Sequence, residues 1–108
     1  MEKHPKTIKS LGQHFLKNLK YVELEVNEAE IKPTETVLEI GPGTGILTEQ
    51  LLKNAKKVIA VELDKRMVEF LKDKFGEEIS SGKLELINAD ILKPDLLSLD
   101  SFDKCVKA

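Results

Sequence analysis

Between residues 36 and 87 the chain alternates short apolar runs with amphipathic stretches, and that alternation leaves few folds open. Thr36–Ile40, Lys57–Glu62 and residues 83–87 read as strands of a buried sheet. Between the first two, Ile46, Leu47, Leu51 and Leu52 recur at helical spacing as far as Asn54. Between the second and third, Asp64 is placed to cap a helix whose face is Met67, Val68, Leu71 and Phe75, with Gly76 expected to close it. Strand, helix, strand, helix, strand implies right-handed crossovers and a parallel sheet. The first two strands are nearly all apolar, so helices are expected on both faces.

Residues 102–106 read as the start of a fourth strand, reached by a loop through Pro94. Upstream, Leu19, Val22, Val26 and Ala29 mark one face of a helix that Asn18 can cap and that Lys32-Pro33-Thr34 ends. Residues 1–17 lack periodicity and read as an extended basic arm, with residues 18–108 as the domain proper. The last strand stops at Ala108 with no helix after it. The expectation is a truncated sheet whose unpaired edge invites self-association.

The net charge of −2 hides an asymmetry. The first 20 residues hold five lysines against one glutamate, and the remainder holds 12 basic against 18 acidic side chains. A basic arm on an acidic body suits either a polyanion partner or a plain solvated tail. No stretch approaches the roughly 18 apolar residues of a membrane helix, and the Lys-rich start has no apolar signal core. Cys105 is the only cysteine, which excludes an internal disulfide and a multi-cysteine zinc site; a reducing cytoplasm is expected.

The strongest local signal is Val37-Leu38-Glu39-Ile40-Gly41-Pro42-Gly43-Thr44-Gly45. Glycines at a strand-to-helix turn let the backbone approach a ligand, and such turns lie where open parallel sheets bind ligands. The dinucleotide fingerprint needs glycine at its sixth position, which here is Ile46, and no Gly-Lys-Ser/Thr of a P-loop follows. Glu39, just before the turn, disfavours a pyrophosphate and favours a cation. S-adenosyl-L-methionine, with an ammonium, a sulfonium and no phosphate, suits that charge. Glu62 ends the second strand 21 residues after Gly41 and could accept from both ribose hydroxyls. Leu63 could pack on the adenine face, and Asp90 could accept from the adenine amino group. Asp64 reads as a cap.

Lys9-Ser10-Leu11-Gly12-Gln13-His14-Phe15-Leu16, the glycine turn, Val61-Glu62-Leu63-Asp64 and Asn88-Ala89-Asp90 together resemble the ribosomal RNA adenine dimethyltransferases, to which the erythromycin-resistance methylases are related. The resemblance implies a Rossmann-like, S-adenosylmethionine-dependent methyltransferase fold followed by a small helical domain. It implies two methyl groups placed on N6 of each of two adjacent adenosines near the 3′ end of small-subunit rRNA. It also implies cofactor contacts at His14, Leu16, Gly41, Glu62 and Asp90, with Glu39, Gly43 and Leu63 in supporting positions. The family's Asn-(Leu/Ile)-Pro-Tyr motif after the fourth strand is absent, since the sequence there runs Lys104-Cys105-Val106-Lys107-Ala108. No catalytic residue is therefore assigned, and the 108 residues read as the N-terminal half of the methyltransferase domain. Three alternatives stay open. One is an NAD-dependent oxidoreductase fragment, against which Ile46 and Glu39 argue. The second is a non-catalytic fold fragment or designed half-domain that self-associates. The third is an RNA-binding module acting through Lys3, Lys6, Lys9, Lys17 and Lys20, with steep salt dependence.

Overall fold

Parallel strands cannot follow one another through a tight turn, so each step across such a sheet needs a crossover. The computed structural model describes residues 6–8, 19–92 and 102–107. They form strands β1 (Lys6–Ile8), β2 (Thr36–Ile40), β3 (Lys57–Glu62), β4 (Leu84–Asn88) and β5 (Lys104–Lys107), and helices α1 (Leu19–Ala29), α2 (Ile46–Asn54), α3 (Lys65–Lys74) and α4 (Gly76–Ser81). The sheet order is β1-β5-β2-β3-β4, and every pairing is parallel.

The helices of these crossovers all lie on one side. Val37, Val58, Ala60, Leu84 and Val106 from the sheet share one core with Val22 and Val26 of α1, Leu47, Leu51 and Leu52 of α2, and Leu71 and Phe75 at the end of α3; Ile79 of α4 packs onto it. The opposite face gathers Leu38, Ile59 and Val61 with Ile40, Ile87, Ala89, Ile91, Phe102 and Cys105, and no described helix joins it. Helices on both faces were expected; the four described here cover one. The reason is handedness. The steps β1 to β2, β2 to β3 and β3 to β4 all run the same way across the sheet, and right-handed crossovers in one direction stack their helices on one face. Only the step from β4 back past β2 to β5 reverses, and its described ends, Ala89, Ile91 and Phe102, pack on the other face.

Three further departures from the sequence pattern have local causes. Gly76 does not close α3. That helix ends with Phe75 as its C-cap, and Gly76 opens α4, which Gly82 ends in the left-handed region at φ 85°. β4 lies one residue later than expected because Val58 pairs with Leu84. Within the arm, Lys6–Ile8 forms a strand alongside residues 104–106, so β5 is paired on both sides. The edge expected to drive self-association is therefore covered there, and the outer strands are β1 and β4. The Asn18 cap falls outside the described residues.

β5 is held in register by polar groups at its start. Thr36 N–H donates to the Asp103 carboxylate and Asp103 N–H donates to the Thr36 carbonyl, both at 2.8 Å. The Lys104 ammonium donates to the Glu30 carbonyl at 2.6 Å and lies 3.1 Å from the Glu35 carboxylate in a largely covered pair.

Two glycines of the β2–α2 turn have different reasons to be glycine. Both adopt positive φ, 69° at Gly41 and 88° at Gly45. A Cβ on Gly45 would lie 2.7 Å from the Phe75 ring, whereas one on Gly41 would meet nothing within 4 Å. Gly45→Ala combines left-handed strain of about 1–2 kcal/mol with overpacking of about 1–3 kcal/mol; Gly41→Ala carries the strain alone. Urea unfolding should rank Gly45→Ala as the less stable variant by the packing component. Equal losses would show that the Phe75 contact relaxes freely.

Candidate functional site

A parallel sheet has a crevice where neighbouring strands send their connections in opposite directions, at the carboxyl ends of those strands. Here that place is the end of β2, whose connection runs towards β3 while β5 lies on its other side. The turn leaving β2 begins with Gly41, whose N–H donates to the Val61 carbonyl at 2.9 Å, so the chain stays in the sheet for one more bond before it departs. Gly41 is exposed, and Pro42 and Gly45 are buried beneath the turn. Gly45 N–H closes the turn on the Pro42 carbonyl at 2.9 Å, and Lys74 caps its outer side by donating to the Thr44 carbonyl at 2.9 Å.

Glu62, the last residue of β3, joins the turn to the next loop. One carboxylate oxygen accepts from Gly43 N–H at 3.1 Å and the other from Asp64 N–H at 2.9 Å. Each oxygen keeps a second lone pair for a ligand donor. The side chain is 8% exposed, and next to it Leu63 is 68% exposed, an apolar surface standing free at the rim. Asp64 behaves as the cap expected of it, accepting from Arg66 N–H at 2.8 Å. Asp90 follows β4 in a tight turn, with one carboxylate oxygen accepting from Leu92 N–H at 2.9 Å. The register Glu62↔Asn88 and the bond from Ala89 N–H to the Glu62 carbonyl at 3.1 Å bring residues 88–90 alongside Glu62.

Gly41, Gly43, Leu63 and Asp90 thus lie on adjoining loops at one end of the sheet, with Glu62 at the end of β3 among them. His14 and Leu16 lie outside the described residues. Glu39 belongs to a different environment. Strand alternation turns it to the helical face with Val37, where it is fully buried. Thr48 of α2 donates its hydroxyl to one carboxyl oxygen at 2.5 Å, and the other oxygen has no partner. Burial pushes its pKa up to about 8, and the nearby Glu62 charge adds to the rise against the opposing Thr48 bond. At neutral pH Glu39 is mostly a neutral acid, so the attraction for a cation expected from its sequence position is not available in this state.

Two contributors escaped the sequence pattern. Thr48 lies nine residues from Glu39, and only the strand–turn–helix geometry joins them. The Asn88 amide donates to the carbonyls of Glu62 and Leu63 at 2.9 and 3.1 Å; the sequence places Asn88 in the Asn88-Ala89-Asp90 segment of the resemblance but assigns it no role. Among the described residues no three His, Cys, Asp or Glu side chains gather as a metal site, and no helix is long and apolar enough to cross a membrane.

The family model for ribosomal RNA adenine dimethylase matches residues 5–107. The chain is 50% identical over 92 residues to the mitochondrial ribosomal RNA small subunit methyltransferase of Arabidopsis thaliana, covering 85% of this chain and 24% of that protein. It resembles the crystal structure of a dimethyladenosine transferase from Plasmodium falciparum with a TM-score of 0.70 and 36% identity, over 85% of this chain and 32% of that one. An S-adenosylmethionine-dependent methyltransferase from Clostridium acetobutylicum aligns with a TM-score of 0.62 and 25% identity, over 86% of this chain and 36% of its own. The shared architecture is the Rossmann-like fold of such methyltransferases. The chain spans about a quarter to a third of the length of the curated relatives it matches.

Glu39 makes folding depend on pH. Its ordinary value is 4.5 and its folded value about 8, so in that interval the folded chain holds a proton that the unfolded chain releases. The stability this proton confers is complete below 4.5 and is lost as pH rises through about 8. Relative to Glu39→Gln, the wild type should lose up to about 1.4 kcal/mol per pH unit across this window. Urea titrations at several pH values measure it, and parallel curves for the two proteins would refute the neutral acid.

Proposed function

The chain belongs to the ribosomal RNA adenine dimethylase family, and from that premise we propose that it carries the S-adenosyl-L-methionine site of an rRNA adenine N6-dimethyltransferase. The whole enzyme would place two methyl groups on each of two adjacent adenosines near the 3′ end of small-subunit rRNA. The observation that carries the cofactor assignment is the Glu62 carboxylate, anchored by one N–H from each of two loops, beside an exposed glycine turn with open space above it.

The residues present suit the cofactor chemically. Glu62 retains lone pairs for the two ribose hydroxyls, Leu63 offers an apolar surface for the adenine face, and Asp90 offers an acceptor for the adenine amino group. Gly41 and Gly43 keep the turn free of side chains where the amino acid end would lie. His14 and Leu16 complete the proposed contact set through the family resemblance. When bound, the cofactor supplies the methyl group as an electrophile. The contribution of this chain is to bind and orient it, since alignment of the reacting groups supplies up to about 7–11 kcal/mol in well-oriented systems. A target base must also leave its stack to reach such a site.

Small-subunit rRNA is the partner of the whole enzyme, and the cytoplasm is the setting.

Calorimetry with S-adenosylhomocysteine should show binding that Glu62→Ala weakens about tenfold or more, roughly 1.4 kcal/mol, with NAD giving no signal. Unchanged affinity in the Glu62 variant would remove the site.

A further inference from the structure

A strand that stops pairing leaves carbonyls that need partners. At the end of β3 these are the carbonyls of Glu62 and Leu63, and the partner is a side chain from the neighbouring strand. The Asn88 amide nitrogen donates to the Glu62 carbonyl at 2.9 Å and to the Leu63 carbonyl at 3.1 Å. Carbonyl oxygens only accept, so the amide's two N–H groups must face them and its orientation is determined. The Ala89 backbone N–H reinforces the bridge by donating to the same Glu62 carbonyl at 3.1 Å.

The bridged peptides are those that carry the nucleoside-facing groups proposed above. One bears the Glu62 carboxylate, which returns to Gly43 and Asp64; the other bears the exposed Leu63. Beyond them the chain leaves the sheet for the Asp64 cap of α3. Water could satisfy both carbonyls equally well, but water would leave the direction of this exit free. A side chain rooted in β4 fixes it, and a fixed site loses less freedom when a ligand arrives.

We infer that Asn88 is a positioning residue for the nucleoside end of the site: by clamping the Glu62 and Leu63 peptides from β4, it sets where the ribose-binding carboxylate and the base-facing leucine stand. This rests on the cofactor site proposed above and adds a residue whose bonds run to the backbone of that site.

Two probes read the effect in the full chain. S-adenosylhomocysteine carries nucleoside and amino acid, whereas 5′-methylthioadenosine carries the nucleoside alone. Asn88→Ala should weaken both by about five- to tenfold and by the same factor, because the two lost bonds act on the part they share. Asn88→Asp keeps the shape but sets an acceptor against two carbonyls, so it should weaken both further. A purely structural role would lower the urea midpoint yet leave affinity unchanged in solutions where circular dichroism shows full folding. Absence of binding by the wild type would defeat the cofactor reading itself. Wild-type binding with both folded variants within twofold, or unequal losses for the two probes, would defeat the role of Asn88 alone. If neither variant folds, the wild-type NMR spectrum decides. Slow exchange of both Asn88 side-chain amide protons, with shifts on adding 5′-methylthioadenosine, supports the clamp; fast exchange or unmoved signals overturn it.

Discussion

The arrangement of strand ends at the top of the sheet follows from a winding that reverses once. Right-handed crossovers carry the chain from β2 through β3 to β4 in one direction, and the return to β5 begins the other. At β2 the two directions part, where ligands bind in open parallel sheets. Apart from the buried Glu39, the candidate groups among the described residues gather at these strand ends: Gly41 and Gly43 after β2, Glu62 closing β3 with Leu63 after it, Asp90 after β4. The chemistry is local, but its assembly depends on chain handedness.

Much of this could be read from residue patterns. The alternation of apolar runs located β2, β3 and β4 to within a residue, and Asp64 capped the helix it was expected to cap. These features are written in short-range chemistry: alternation, helical spacing and a side-chain oxygen before a helix. Other features were not legible because their causes are distant in sequence. Lys6–Ile8 forms a strand only by pairing with residues almost a hundred positions later. Gly76 looked like a helix end, yet Phe75 turns the chain first and Gly82 supplies the left-handed terminus. The distribution of helices over the two faces depended on strand order, which periodicity does not contain.

Glu39 illustrates the same limit within the site. Its place before a glycine turn advertises a charge, but alternation along β2 points it into the helical core with Thr48. Burial makes the neutral form the cheaper one. Glu62, also acidic and also at a strand end, meets two backbone N–H donors instead. Position relative to the last residue of the strand, more than residue type, separates a buried acid from one facing the crevice.

The Phe75 ring fills the space a Cβ on Gly45 would need, so the glycine turn sits against the hydrophobic core. Lys74, adjacent to that ring, holds the Thr44 carbonyl from the same helix end. The turn and the C-terminal end of α3 thus form one cooperative unit, and transient fraying of that helix would dissolve the turn with it. The glycine turn of the proposed site is therefore held from its outer side by a helix end that belongs to the core.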